Sequence, residues 1–374
     1  MHISSNFDAG NIEVIQCAEA NNIQLAIRKD NQSDFYQWFY FRLTGAEGQA
    51  CKLNITNAGT AAYVGGFKDY QAVASYDRDN WFRVDTSFDG KTLCIEHTPV
   101  TNSIYFAYFA PYSMERHADL IGWASTDTRV TYERLGSTLD GQDMDLLIVG
   151  DQAAHKKNVW VIGRQHPGES MAEWCIEGFL ERLLDDNDPV AREFLNRANV
   201  FVVPNMNPDG SRRGHLRTNA VGSNLNREWQ NPSAEKSPEV LCVLNKMHST
   251  GVDLCLDVHG DEALPYNFIA GAEGIAAWDD KKQADLDFYK RQLMATNPDF
   301  QITNGYEVDA KGTANLTICT NFIAHTFNCL AMTLEMPFKD TIDSPNELEG
   351  WSPARSKHLG ASNLAVMLGY LQRK

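Results

Sequence analysis

A histidine and a glutamate stand three residues apart in a short turn near the middle of the sequence. The turn reads Arg-Gln-His-Pro-Gly-Glu, so that a proline and a glycine bend the chain between His166 and Glu169. An imidazole nitrogen and a carboxylate oxygen at this spacing can bind one cation, and this mixture of ligands suits zinc. The pair alone is a weak signal, because a histidine and a glutamate flanking a surface turn would give the same spacing.

A second histidine, His259, follows the apolar segment 252–258. Two histidines and one glutamate would leave a fourth zinc position open for water, which is the pattern of catalytic zinc sites. For His259 alone, a histidine bonded to the backbone at a strand end fits equally well. Asp257 would share a strand face with His259 and could orient its ring, although a buried structural aspartate fits as well.

A further carboxylate, Glu335, ends another apolar segment, where an ionisable group is costly unless it has a partner or a task. A carboxylate beside zinc-bound water can accept a proton and later return it to a leaving amine. The alternative is an ion pair between Glu335 and a neighbouring arginine.

Two arginines and an asparagine lie in a segment rich in glycine and asparagine, which should be a loop: Arg217, Asn226 and Arg227. The planar guanidinium matches a carboxylate, or an oxyanion that develops on a peptide carbonyl. Surface arginines are common, and we expect Arg212 and Arg213 to be solvated or paired.

Strand-forming and helix-forming segments alternate from about residue 116. Candidate strands span residues 144–149, 159–163, 199–204, 252–258, 267–270 and 329–334. Candidate helices span residues 171–184, 189–198, 238–250, 280–295 and 353–372. This alternation predicts an α/β fold with a mixed, mostly parallel central sheet and helices on both faces. Ligands bind such sheets outside the carboxyl ends of the strands, which is where the residues above stand.

The first 115 residues have a different pattern. Short segments rich in aromatic and β-branched residues, at 37–43, 51–55, 70–76 and 103–109, are separated by turns. They predict a small antiparallel β-sandwich. We therefore predict two domains, a β-sandwich at 1–115 and a catalytic domain at 116–374.

Composition narrows the choice of partners and location. The chain has 33 basic and 49 acidic residues and a net charge of −16, which argues against binding to nucleic acid or to an anionic membrane. No signal peptide or membrane-spanning run is visible, and eight scattered cysteines without a C-x-x-C pair suggest reduced thiols. We expect a cytoplasmic protein. Its oligomeric state is not indicated.

Five motifs occur in a fixed order: H-P-G-E, N-P-D-G, R-x-x-x-x-G-x-N-L-N-R-x-W, H-G-D and T-L-E. Together they resemble the zinc carboxypeptidases of the carboxypeptidase A family, most closely the cytosolic carboxypeptidase branch, which has a β-sandwich before the catalytic domain. The segment YFAYFAPYS at 105–113 is similar to an aromatic segment of that branch. The resemblance covers nearly the whole chain.

The resemblance implies one zinc ion per chain and removal of the C-terminal amino acid from peptides or protein tails by zinc-activated water. It also implies a role for each candidate residue. The implied zinc ligands are His166, Glu169 and His259, the general base and acid is Glu335, the residue that polarises the scissile carbonyl is Arg217, and the residues that bind the terminal carboxylate are Asn226 and Arg227.

The chain departs from the pattern of the branch at two positions. Asn224 stands where an aspartate is usual, which would change local orientation rather than the reaction. Asn315 stands where deglutamylating relatives have a basic residue, so a preference for glutamate is not predicted. Tyr306 is a candidate for a mobile phenol near the substrate.

Two other functions stay open on the same residues. A zinc-dependent deacylase of small N-acyl amino acids would use the same zinc site and would also need an arginine for a carboxylate. A non-catalytic binding protein with a degenerate zinc domain is disfavoured, because no implied zinc ligand is missing and Glu335 is present.

Overall fold

The computed structural model of this protein describes residues 1–373. Its first part, residues 1–107, contains ten short strands in two five-stranded sheets, ordered β1-β4-β10-β6-β7 and β2-β3-β5-β9-β8. The strands are β1 (His2–Ser4), β2 (Glu13–Gln16), β3 (Ile23–Ala26), β4 (Tyr40–Thr44), β5 (Cys51–Ile55), β6 (Val73–Ser75), β7 (Phe82–Arg83), β8 (Asp85–Phe88), β9 (Leu93–His97) and β10 (Ser103–Ala107).

The two sheets share one hydrophobic core, and we call this part the N-terminal sandwich. Residues of β5 alternate, with Leu53 buried and Lys52 exposed, as expected for strands with one covered face. His97 of one sheet contacts Phe106 of the other, with ring centroids 6.2 Å apart. The pairing is antiparallel except between β3 and β5, which are parallel. The predicted antiparallel N-terminal sheets are therefore confirmed, although the segment predicted at 70–76 forms a strand only at β6.

The second part has a seven-stranded sheet and eight α-helices among the described residues. The helices are α1 (Met114–Ala124), α2 (Met171–Leu183), α3 (Pro189–Arg197), α4 (Pro208–Arg213), α5 (Pro238–Thr250), α6 (Asp280–Thr296), α7 (Cys319–Phe327) and α8 (Pro353–Leu371). The strands are β11 (Val130–Ser137), β12 (Asp143–Val149), β13 (Lys157–Gly163), β14 (Ala198–Val203), β15 (Leu254–Asp261), β16 (Phe268–Ala270) and β17 (Leu330–Pro337).

This sheet is mixed, with the order β11-β12-β14-β13-β15-β17-β16. The four central strands are parallel to one another: β14, β13, β15 and β17. The pairings outside them are antiparallel. All residues of β14 and β17 are buried, because helices cover both faces of a parallel sheet. The predicted mixed α/β fold is confirmed, with parallel pairing confined to the centre.

Helices pack on opposite faces of the central strands. A Cβ atom at Gly163 of β13 would lie 2.7 Å from Cδ1 of Ile176 in α2, so α2 covers that face closely. Thr333 of β17 faces the other side, where its hydroxyl oxygen lies 2.7 Å from that of Thr320 in α7. The second face is the one that carries the candidate site.

Several element predictions need correction. Helices α1, α4 and α7 and strand β11 were not predicted from the sequence. The strand predicted at 252–258 is longer than expected, since β15 runs through His259 to Asp261. The proposed division at residue 115 remains a prediction, and Lys374 lies outside the described residues. No helix among residues 1–373 combines the length and the apolarity needed to span a membrane.

Candidate metal centre and active site

The three candidate metal ligands converge at the carboxyl ends of β13 and β15. Nδ1 of His166 lies 2.7 Å from Oε1 of Glu169, and Nδ1 of His259 lies 2.8 Å from Oε2 of the same carboxylate. The two Nδ1 atoms are 3.2 Å apart. Ligand atoms of all three buried residues lie within 4.8 Å of one another. One cation could therefore contact all three side chains.

The order of the strands explains why the ligands meet there. From β13 the chain passes to β14 on one side, and it later returns to β15 on the other side. The gap between the ends of β13 and β15 is thus a topological switch point, where α/β sheets bind ligands.

A buried arginine holds the turn that carries His166 and Glu169. Arg164 has a left-handed backbone, with a φ of 56°, which turns the chain sharply after β13. Its guanidinium donates hydrogen bonds to the carbonyl oxygen of Pro167, at 3.0 Å, and to Oε2 of Glu173 in α2, at 2.6 Å. The turn is therefore fixed from inside the protein.

The outer nitrogen of each histidine ring has its own acceptor. Nε2 of His166 lies 3.1 Å from Oδ1 of Asn224, and Nε2 of His259 lies 2.9 Å from Oδ2 of Asp257. If each Nε2 carries the proton, each Nδ1 presents a lone pair to the cation position. Asn224 thus supplies the acceptor for His166. Because Asn224 stands where an aspartate is usual, this acceptor is an amide oxygen instead of a carboxylate oxygen.

Asp257 is itself held by the N-L-N-R-x-W motif, which begins at Asn224. Nε2 of Gln165 donates to Oδ2 of Asp257 at 2.6 Å, and the indole nitrogen of Trp229 donates to Oε1 of Gln165 at 2.8 Å. Trp229 is the tryptophan of the N-L-N-R-x-W motif. The motif therefore reaches both histidine rings, through Asn224 and through Trp229.

The charges of this cluster suit a divalent cation. Burial and the nearby Arg217 lower the pKa of His166 to about 4, so its ring is neutral at pH 7. Burial also lowers the pKa of His259, but the carboxylates of Asp257 and Glu169 outweigh it and raise that pKa above its usual value. The two buried carboxylates thus favour positive charge next to them, which a bound cation could supply in place of the proton on His259, and a nitrogen and oxygen donor set of this kind fits zinc.

Glu335 lies beside this cluster because β15 and β17 are in register. Glu335 pairs with His259 across the two parallel strands, and its side chain is buried. Its Oε1 lies 3.1 Å from the hydroxyl of Tyr306, while its Oε2 has no hydrogen-bond partner among residues 1–373. Burial raises the pKa of Glu335 well above its usual value. The hydroxyl of Tyr306 also lies 2.7 Å from Oδ2 of Asp261.

The candidate metal ligands and Glu335 line a cavity of about 410 Å³. The candidate substrate-binding residues line the same cavity. Arg217 and Arg227 both lie on its wall, and burial and the charge of Arg217 lower the pKa of Arg227. Oδ1 of Asn226 accepts a hydrogen bond from the backbone of Cys319, which leaves its amide nitrogen as a donor. The structure therefore brings all seven predicted site residues to one cavity.

Other residues of the cavity were not predicted from the sequence. Tyr63 comes from the N-terminal sandwich, Glu262 follows the H-G-D motif, and Lys290 comes from α6. Of these three residues, only Glu262 could have been found from the sequence, because it directly follows the H-G-D motif. Asn315 is exposed and is not on the cavity wall; its Oδ1 caps a turn by accepting from the backbone of Thr317.

Comparison with known families agrees with this geometry. The cytosolic carboxypeptidase N-terminal domain model matches residues 3–109, and the zinc carboxypeptidase model matches residues 122–349. The chain belongs to the zinc carboxypeptidase family. The predicted enzyme class, a zinc metallocarboxypeptidase, is confirmed by the match.

Relatives of this zinc carboxypeptidase include an uncharacterized protein from Zymomonas mobilis, 53% identical over 98% of the chain and 96% of that protein. Human cytosolic carboxypeptidase 1 is 27% identical over 64% of the chain, and the match spans 23% of that longer protein. A metallo-carboxypeptidase structure from Burkholderia cenocepacia is 48% identical, with a TM-score of 0.98 and complete coverage of both chains.

A metallo-carboxypeptidase from Pseudomonas aeruginosa, solved in complex with (2-guanidinoethylmercapto)succinic acid, is also similar. It is 45% identical, with a TM-score of 0.97, over 100% of this chain and 99% of that one. These structures extend over the N-terminal sandwich as well as the seven-stranded sheet.

Proposed function

We propose that the protein is a zinc-dependent carboxypeptidase that removes the C-terminal amino acid from peptides or protein tails. The observation that supports this most is a single cavity that joins a cluster of two histidines and a glutamate to a buried carboxylate and two arginines. Zinc, when bound, supplies Lewis-acid chemistry and lowers the pKa of a water ligand to about 7. The other roles belong to residues of the chain.

The terminal carboxylate of the substrate would bind to Arg227 and Asn226. The guanidinium of Arg227 can donate two parallel hydrogen bonds to a carboxylate, and the amide nitrogen of Asn226 is a further donor. A clamp of this kind restricts cleavage to the end of a chain. The complex of the Pseudomonas aeruginosa relative with a succinic acid derivative agrees with carboxylate binding in this family.

Arg217 and Glu335 would act on the scissile bond. The guanidinium of Arg217 can donate to the carbonyl oxygen and to the negative charge that develops on it, which stabilises the transition state. Glu335 would accept a proton from the attacking water at its carboxylate and return it to the leaving amine. The raised pKa of Glu335, caused first by burial, makes its carboxylate a stronger base.

The cavity walls favour a polar C-terminal side chain. Below Glu335 on the same face of β17 lies Thr333, and Thr320 and Asn321 of α7 are near it on the wall. These hydroxyl and amide groups already bond to residues of the chain, but their oxygens can accept further hydrogen bonds, which a large apolar side chain could not make. We therefore expect polar C-terminal residues to be removed faster than phenylalanine or leucine.

The alternative function is deacylation of small N-acyl amino acids, which would use the same residues. Mass spectrometry of a peptide panel with varied C-termini, alongside N-acyl amino acids and with or without a chelator, separates the two. We expect zinc-dependent loss of single C-terminal residues and no cleavage of the matched C-terminal amides. Hydrolysis of N-acyl amino acids with intact peptides would favour the deacylase, and zinc binding without any hydrolysis would contradict catalysis.

A further inference from the structure

The segment that carries Arg217 is held by an aspartate of the N-terminal sandwich. Asp30 is 3% exposed, and its carboxylate accepts four hydrogen bonds from three consecutive residues. Oδ1 accepts from the backbone nitrogen of Leu216 at 2.7 Å. Oδ2 accepts from the backbone nitrogens of Arg217 and Thr218 at 2.8 and 2.9 Å, and from the hydroxyl of Thr218 at 3.0 Å. The backbone on both sides of Arg217 is thus fixed by one side chain.

The guanidinium of Arg217 also rests on the N-terminal sandwich. Its central carbon lies 5.7 Å from the ring centroid of Phe35 and 5.3 Å from that of Tyr63. Both rings offer a face to the cation, which favours one direction for the long side chain. Within residues 1–373, Arg217 donates a hydrogen bond from its backbone nitrogen but none from its guanidinium, whose donors remain free for a ligand in the cavity.

Further contacts bring the two parts together along this segment. The backbone nitrogen of Asn31 donates to Nε2 of His215 at 3.1 Å. A Cβ atom at Gly214, whose φ is +71°, would lie 2.6 Å from the carbonyl oxygen of Ala9. A Cβ at Gly222 would lie 2.4 Å from the carbonyl oxygen of Gln32. The glycines before and after Arg217 are therefore places where the sandwich backbone approaches too closely for a larger residue.

We propose that the N-terminal sandwich completes the active site by positioning Arg217, with Asp30 as the positioning residue and Phe35 and Tyr63 as the support of the guanidinium. This inference rests on the proposed carboxypeptidase function, in which Arg217 stabilises the developing oxyanion. Asp30 is absent from the cavity wall, so it would not touch a substrate bound in the cavity. It acts through the backbone of residues 216–218, and its loss would let the guanidinium move away from the reacting oxygen.

The test compares Asp30→Asn, Arg217→Ala and the double variant in the full-length zinc enzyme, using a C-terminally free peptide. Asn replaces one acceptor oxygen by an NH2 group that faces backbone donors. For Asp30→Asn we expect kcat to fall about 10- to 100-fold with KM within threefold, because a small misplacement of a transition-state donor is costly. Asp34→Asn is the matched control, since Asp34 is in the same loop, is almost fully exposed and, among residues 1–373, forms an ion pair only with Lys29. The kcat of this variant should be unchanged.

The double variant distinguishes positioning from general damage to the fold. If Asp30 acts through Arg217, adding Asp30→Asn to Arg217→Ala should lower kcat by less than threefold, since the interaction has already been lost. An equal loss in both backgrounds, or an Asp30→Asn enzyme with unchanged kcat, would overturn the proposal while leaving the carboxypeptidase function intact. If Arg217→Ala itself is fully active, its assigned role in the proposed function is wrong, and this inference is wrong with it.

A second variant covers the case in which Asp30→Asn does not fold. Phe35→Leu keeps an apolar side chain in a half-buried position but removes the aromatic face beside Arg217. We expect kcat to fall about threefold, in line with the loss of one partly exposed cation–π contact. The same substitution in the Arg217→Ala background should have no effect on kcat; an equal effect in both would argue against positioning.

Discussion

Two buried histidines, His259 and His117, each lie between two carboxylates, yet among residues 1–373 only His259 belongs to a cluster of three side chains that could hold a metal ion. His259 lies 2.9 Å from Asp257 and 2.8 Å from Glu169. A third candidate ligand, His166, adds a neutral ring on the cavity side. No guanidinium among residues 1–373 contacts either carboxylate, so a protonated His259 would balance only one of the two negative charges, and a divalent cation from solution could balance both.

The second histidine, His117 of α1, has a different environment. It lies 2.9 Å from Asp145 and 2.5 Å from Glu173, and Glu173 also accepts from the guanidinium of Arg164. Burial lowers the pKa of His117, but the two carboxylates outweigh it and raise that pKa to about 9. A protonated His117 and Arg164 thus balance Asp145 and Glu173. In this protein, a histidine between two carboxylates is a candidate metal ligand where a further ligand and an unbalanced charge accompany it.

The largest expected effect comes from removing the ion or its ligand. His259→Gln should abolish stoichiometric zinc binding and peptidase activity, because only two weak ligands remain. His117→Gln should retain zinc and activity within tenfold. Zinc content by mass spectrometry and activity after chelation and zinc addition provide the measurement. If His117→Gln lost zinc and His259→Gln retained it, the metal would bind at His117 and not at His259.

A smaller effect is expected from the carboxylate beside His259. Glu335→Gln should retain zinc but lose at least about 10³-fold in kcat, in line with the loss of a general base and acid. The change keeps the size of the side chain, so the folded protein should unfold at a similar temperature. A Glu335→Gln enzyme with full activity would remove this residue from the mechanism.

A still smaller effect is expected from the carboxylates that accept hydrogen bonds from the two histidines, Asp257 at His259 and Asp145 at His117. Asp257→Asn should weaken zinc affinity about 10- to 100-fold, since an acceptor that orients a ligand ring contributes in this range. Asp145→Asn, its counterpart at His117, should leave zinc affinity unchanged. Competition with a fluorescent zinc chelator measures both, and equal zinc affinities would show that Asp257 does not tune the site.

The smallest effect is a difference in pH dependence. A histidine whose pKa is raised on folding stabilises the protein below its unfolded pKa of about 6.5, and this contribution is lost as pH rises through about 9. Full loss corresponds to about 3 kcal/mol for a shift of this size. We expect urea unfolding between pH 7.5 and 10 to show the wild type losing more stability than His117→Gln. Parallel curves for the two proteins would contradict the charged state of His117.

Motifs at strand ends made much of the site predictable. His166 and His259 follow apolar segments, and the carboxyl ends of parallel strands meet at one edge of a sheet. The register that pairs His259 with Glu335 could not be read from the sequence, because it depends on how two strands far apart in the chain align. Asp30 was invisible for the same reason, since its partners lie more than 180 residues away.

Regular elements were missed where local patterns are weak. All residues of β11 are exposed or half-buried, since it is an edge strand, and it lacks the alternation of a half-buried strand. α4 has only six residues, so no helical period is visible. Asn224 was recognised as a departure from the family, but its contact with the ring of His166 depends on the folded loop.

One atom, Oδ1 of Asn224, joins two parts of the active site. It lies 3.1 Å from Nε2 of His166, and it accepts from the backbone nitrogen of Asn226 at 3.0 Å. The candidate metal ligand His166 and the proposed carboxylate-binding residue Asn226 therefore share an anchor, and we expect a shift of one to move the other. Reciprocal linkage follows: a carboxylate ligand that tightens zinc binding must itself bind more tightly, by the same factor, once the ion is present. Calorimetric titration of each in the presence of the other would measure that factor.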